Sequence, residues 1–108
     1  MADYFNSEDL ARFNEVGKAS PELFNLFMKW YGEAMKPGAL DAKTKAIIAL
    51  AVSHTIPCPY CIDAWTTGAM KLGATPEELA EAIQVTASLK AGATLAFHIQ
   101  SLNVMDRG

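Results

Sequence analysis

Three times in this chain a residue able to take a cap position is followed directly by proline: Ser20-Pro21, Cys58-Pro59 and Thr75-Pro76. Proline lacks a backbone N–H and has a fixed φ. It is therefore welcome at the first helical position and unwelcome deeper in a helix or in a central strand. A chain of 108 residues punctuated in this way is committed to helices. Asp41 adds a further cap candidate, and so does Ser7, with Glu8 and Asp9 in the turn that follows it.

The apolar spacing fills in the segments between these starts. A short helix from Ser7 to Gly17-Lys18 carries Leu10, Phe13 and Val16 on one side. A second runs from Ser20 to Pro37-Gly38. Leu23, Leu26, Phe27 and Trp30 form one stripe on it, and Phe24, Met28 and Tyr31 form another, which predicts burial on two sides. A third is capped by Asp41, with Lys43 and Lys45 facing out. From Ala46 to Val52 it is apolar, alanine-rich and without alternation, so it reads as a central buried helix, ended by Pro57. A fourth runs from Cys58 to Gly73. Thr75-Pro76-Glu77-Glu78 is a capping box opening a fifth, with Leu79, Ala82, Ile83, Ala87 and Leu89. Gly92 is expected to interrupt or kink it before a last stretch with Leu95, Phe97, Ile99 and Leu102, and 106–108 to fray. The fold class is all-α, a single compact domain over residues 1–108 with about five to six helices.

Composition narrows the function. The net charge of -3 and scattered Lys and Arg do not suit nucleic acid. The start, Met1-Ala2-Asp3-Tyr4-Phe5, is no secretory signal, and Ala46–Val52 is too short to span a bilayer, which predicts a cytoplasmic protein without a membrane partner. At 51% hydrophobic the chain has more apolar surface than its size needs, so it is expected to oligomerise through apolar helix faces.

The chemistry concentrates in Cys58-Pro59-Tyr60-Cys61, which holds both cysteines. On a helix this spacing sets the two Cβ atoms about 5–6 Å apart on one face, slightly wide for a relaxed disulfide. Cys58 at the helix N-terminus gains most from the unpaired N–H groups that favour a thiolate. The same four residues occur in glutaredoxins, but that fold needs a strand before the tetrad and a parallel sheet beneath it. Here an alanine-rich helix precedes it, so that fold is rejected.

From about Gly38 to about Gln100 the chain resembles the carboxymuconolactone decarboxylase and alkylhydroperoxidase D-like all-α proteins. The resemblance is carried by Leu40-Asp41-Ala42-Lys43-Thr44-Lys45, Ile48-Ala49-Leu50-Ala51-Val52-Ser53-His54, the tetrad with Ile62-Asp63-Ala64, and Gly73-Ala74-Thr75-Pro76-Glu77-Glu78-Leu79-Ala80-Glu81-Ala82. It implies a thiol peroxidase in which Cys61 attacks a peroxide, Cys58 closes the disulfide, and an external dithiol, with no cofactor, reduces it. It also implies a homotrimer or homohexamer. The family pattern has a histidine four residues after the second Cys and a glutamate twelve before the first. Trp65 and Ala46 stand there instead. The N-terminal pattern Tyr4-Phe5, Asp9-Leu10, Phe13 and Pro21-Glu22-Leu23 resembles a peroxidase-like sub-branch associated with arsenosugar biosynthesis clusters.

His54, four residues before Cys58, is the candidate substitute base, with Asp63 and Tyr60 behind it. The plainer reading of His54 is a helix-end histidine bonded to backbone. Trp65 and Tyr60 are candidates for a substrate-pocket wall. Three alternatives stand beside the peroxidase: a non-redox lactone decarboxylase, an accessory protein binding a thiophilic ligand through the pair, and a zinc site of His54, Cys58, Cys61 and His98.

Overall fold

The structure, a computed structural model of the chain, describes residues 5–108, so Tyr4 of the N-terminal pattern lies outside it. Five helices and no strand make up the described residues. A 3-10 helix, Ser7–Gly17, comes first, followed by α1 (Pro21–Met35), α2 (Ala42–Thr55), α3 (Pro59–Lys71) and α4 (Pro76–Arg107). The three prolines expected at helix starts all sit there.

The caps explain most boundaries. Asp41 accepts from the Thr44 amide at 2.7 Å. The Thr75 hydroxyl accepts from the Glu78 amide at 3.1 Å while Glu78 accepts from the Thr75 amide at 2.9 Å, a complete capping box. Ser20 holds its cap position by backbone alone. The first helix is capped by Asn6 rather than Ser7, because the Asn6 side-chain oxygen reaches the Glu8 amide at 3.0 Å. Gly73 ends α3 at φ +95°, a conformation that excludes most side chains. Around it the Ala74 amide donates to the Ala69 carbonyl and the Gly73 amide to that of Met70, both at 3.0 Å, which is a Schellman motif.

The core lies where α2, α3 and the start of α4 meet. Ala46, Leu50, Ala69, Ala74 and Leu79 are buried, with Ile47, Ile62, Trp65 and Ile83 packed on them. Ser53 is buried too, its hydroxyl donating to the Ala49 carbonyl at 2.6 Å. α2 is central, as expected, but it buries one side only, leaving Ile48 and Val52 exposed. α1 departs further from expectation. It has no buried residue. It packs mainly against the slender 3-10 helix, with lesser contact to α2 and to Trp65 of α3, which is too little to cover two stripes. Phe27, Met28 and Tyr31 turn inward while Leu23, Leu26 and Trp30 face out.

Two lysines expected to be solvated are engaged instead. Lys43 pairs with Glu78 at 2.9 Å, linking α2 to α4. The Lys45 ammonium donates to the carbonyls of Ala34, at 2.8 Å, and Lys36, closing the C-terminal end of α1.

α4 is one unbroken helix of 32 residues. Gly92 does not interrupt it, and Asp106 and Arg107 remain helical. A single glycine weakens a helix by roughly 1 kcal/mol against alanine but removes no hydrogen bond. From Ala87 onward every residue of α4 is exposed, including Leu95, Phe97 and Ile99. This projecting half raises the radius of gyration to 18.3 Å, against about 13 Å for a globular chain near this length. No helix among the described residues is long and apolar enough to cross a membrane.

The Lys43 ammonium and the Thr75 amide both hold the Glu78 carboxylate below its ordinary pKa. A depressed carboxyl stabilises the fold above its unfolded pKa, and that contribution fades as pH falls through the folded value. Glu78→Gln keeps an oxygen for the cap but loses the charge. Urea midpoints taken from about pH 7 down to about pH 3 should find the variant less stable at neutral pH, with the gap closing in acid.

Candidate functional site

The tetrad is fixed by the end of α2. The Cys58 amide donates to the Ser53 carbonyl at 2.9 Å, so the chain turns through Pro57 and delivers Cys58 to the N-cap of α3. There its sulfur accepts from the Cys61 amide at 3.2 Å. A sulfur in that place does the work of a capping oxygen, and the same N–H favours a thiolate when the pair is reduced. The two cysteines form a disulfide, with Cα atoms 5.2 Å apart, inside the range a bridge requires.

The sulfurs face different surroundings. Cys61 lines a cavity of about 400 Å³ that Cys58 does not reach. Leu10 and Phe13 of the 3-10 helix, Phe27, Met28 and Tyr31 of α1, and Tyr60, Ala64 and Trp65 of α3 complete its wall. Trp65 follows Cys61 by one helical turn and so shares its face of α3. Its indole N–H donates to the Tyr31 hydroxyl at 3.2 Å. Tyr60 also packs its ring against Phe5, centroids 5.0 Å apart.

The sequence-predicted residues divide accordingly. Cys58 and Cys61 are joined, and Tyr60 and Trp65 border the cavity beside Cys61. His54 is half-buried, and its Nδ1 lies 2.9 Å from the Leu50 carbonyl of its own helix. That contact makes Nδ1 the protonated nitrogen of the neutral ring and leaves Nε2 as the free acceptor. No hydrogen bond joins His54 to either sulfur among the described residues. His98 sits on the projecting half of α4, and no three metal-ligating side chains cluster among the described residues, so the four-ligand zinc arrangement does not form within the chain. Ala46 is fully buried in the core on which Trp65 packs.

Tyr31 is the residue that sequence reasoning missed. It was grouped with an apolar stripe, although a half-buried tryptophan N–H seeks an acceptor and a tyrosine on the facing helix can supply one.

Residues 21–100 match the model of the carboxymuconolactone decarboxylase family. The chain belongs to that family. Among relatives, an uncharacterized protein of the cox locus of Paracoccus denitrificans is 38% identical over 106 residues, covering 98% of this chain and 96% of its own length. An uncharacterized protein of Cupriavidus necator is 27% identical over 95 residues, covering 88% and 84%. The crystal structure of a family protein from Legionella pneumophila, in its apo form, superimposes with a TM-score of 0.71 at 32% identity, over 94% of this chain and 91% of that one.

Trp65 packs on the core cluster that contains Ala46, so changes at the two positions are expected to couple. Ala46→Glu alone should place a carboxylate without a partner in the core and lower stability by about 3–5 kcal/mol. Adding Trp65→His should recover part of that loss. Thermal or urea denaturation of the two variants checks both expectations.

Proposed function

We propose that the protein is a thiol peroxidase whose Cys58–Cys61 pair cycles between dithiol and disulfide. The observation that carries this reading is the division of labour at the pair: Cys61 borders an apolar cavity, while Cys58 is bonded to it from outside that cavity. The Cys61 thiolate attacks the terminal oxygen of a peroxide, R–O–O–H. The O–O bond breaks, the alcohol R–OH leaves after taking up a proton, and Cys61 becomes a sulfenic acid. The Cys58 thiol then attacks that sulfur, water departs, and the disulfide closes. An external dithiol reduces it by two exchanges, becoming a disulfide itself.

No cofactor takes part, and the dithiol-rich cytoplasm is the setting in which such a cycle would turn over. His54, one turn before the tetrad with Nε2 free to accept, is the base in this reading. The lactone and thiophilic-ligand alternatives draw less support. Among the described residues no carboxylate or histidine lines the cavity to serve as the base of a lactone reaction, whereas peroxide chemistry needs the cysteine that is present.

Peroxide consumption by the purified protein with a dithiol tests the reading. Cys61→Ser should abolish it. Cys58→Ser should allow one turnover and leave Cys61 as a sulfenic acid that a dimedone probe captures by mass spectrometry. Equal consumption in both variants and the wild type would sink the idea.

The reading includes a homo-oligomer, a trimer or hexamer. Its support is the apolar surface left on Leu23, Leu26 and Trp30 of α1 and on the projecting half of α4, more than a solitary small domain normally exposes. Light scattering should return three or six times the 11.7 kDa chain mass.

A further inference from the structure

We propose that Tyr31 is the proton donor to the oxygen that leaves the peroxide, held in place by Trp65; this rests on the thiol-peroxidase reading above. The step needs such a donor. When the Cys61 thiolate takes the terminal oxygen, the O–O electron pair departs with R–O⁻. The walls supplied by Leu10, Phe13, Phe27 and Met28 offer a bare alkoxide no hydrogen bond. A positioned acid removes that cost, an effect typically worth about 10²–10⁴-fold in rate.

Tyr31 has the chemistry and the position. A phenolic hydroxyl is one donor with two acceptor lone pairs, while an indole N–H only donates. The 3.2 Å bond from Trp65 therefore occupies one lone pair of the Tyr31 oxygen and leaves its proton free. Tyr31 and Cys61 border the same cavity. Trp65 stands one turn along α3 from Cys61, so the residue that anchors the phenol shares the helix face of the nucleophile. Tyr60 also lines the cavity, but no hydrogen bond fixes its hydroxyl among the described residues, and fixed geometry is what makes a proton donor effective. After the transfer Tyr31 is a phenolate. At 40% exposure it can recover its proton from water without a relay. The pairing thus supplies the leaving group's proton in a chain that has tryptophan at the position of the family's histidine.

Two peroxides separate this role from a structural one. tert-Butyl hydroperoxide expels a strongly basic alkoxide, whereas peracetic acid expels acetate, which needs no proton. In the full-length protein, Tyr31→Phe should lower kcat/KM for tert-butyl hydroperoxide by about 10²-fold or more and leave peracetic acid within a few-fold of wild type. Trp65→Phe, which removes the anchoring N–H and keeps a ring, should show a smaller loss of the same selective kind. Equal rates for Tyr31→Phe and wild type with tert-butyl hydroperoxide, or equal losses with both peroxides, would overturn the assignment while leaving the peroxidase reading intact. A wild-type protein inert to both peroxides would overturn the peroxidase reading and the assignment with it.

Discussion

The close approach of α2 to α3 through alanine is the contact on which the rest of the structure depends. Ala46 and Ala69 are fully buried, and small side chains there let the two helices pack with little between them. α2 also carries Leu50 into the core, receives the Glu78 carboxylate of α4 on Lys43, and holds the end of α1 through Lys45. α1, α3 and α4 therefore take their places from one helix, and the 3-10 helix packs on α1 and α3. The core is small, and the precision of the site comes more from hydrogen bonds at helix ends than from a large buried volume.

The tetrad illustrates that economy. Its first cysteine ends a turn pinned by Ser53 and begins a helix by capping it with sulfur. Its second cysteine, one turn in, opens toward aromatic side chains gathered from three helices. Neither cysteine could be moved without also moving a helix end, so the scaffold and the cysteine pair share the same bonds. Ala46 and Trp65 serve packing in this chain, one inside the core and one against it.

What could be read from the sequence was local. Cap-plus-proline signatures at Pro21, Pro59 and Pro76 fixed three helix starts, and Gly73 fixed an end, because each acts through its own backbone. The cysteine pair was equally visible, since spacing alone sets its geometry. What stayed hidden depended on distant partners. Tyr31 and Trp65 are 34 residues apart, and nothing in either segment announces the other. Lys45 looked solvated because its acceptors are carbonyls at the end of another helix. The two stripes on α1 were real, but a stripe says only that a face is apolar and not whether the same chain covers it. Gly92 was overweighted, since glycine lowers helix stability without forbidding the helix.

The projecting half of α4 has a consequence for how stability is defined in this molecule. Fixing a backbone in a helix costs roughly 1–2 kcal/mol per residue in conformational entropy, and short helices without tertiary contacts are marginal in water. The residues from Ala87 to Arg107 receive no burial from their own chain to offset that cost. Where copies bury this half against one another, order in the C-terminal fifth of the chain becomes a function of protein concentration. A melting temperature would then describe a solution rather than a molecule, and dilution would act on this helix as a denaturant does elsewhere.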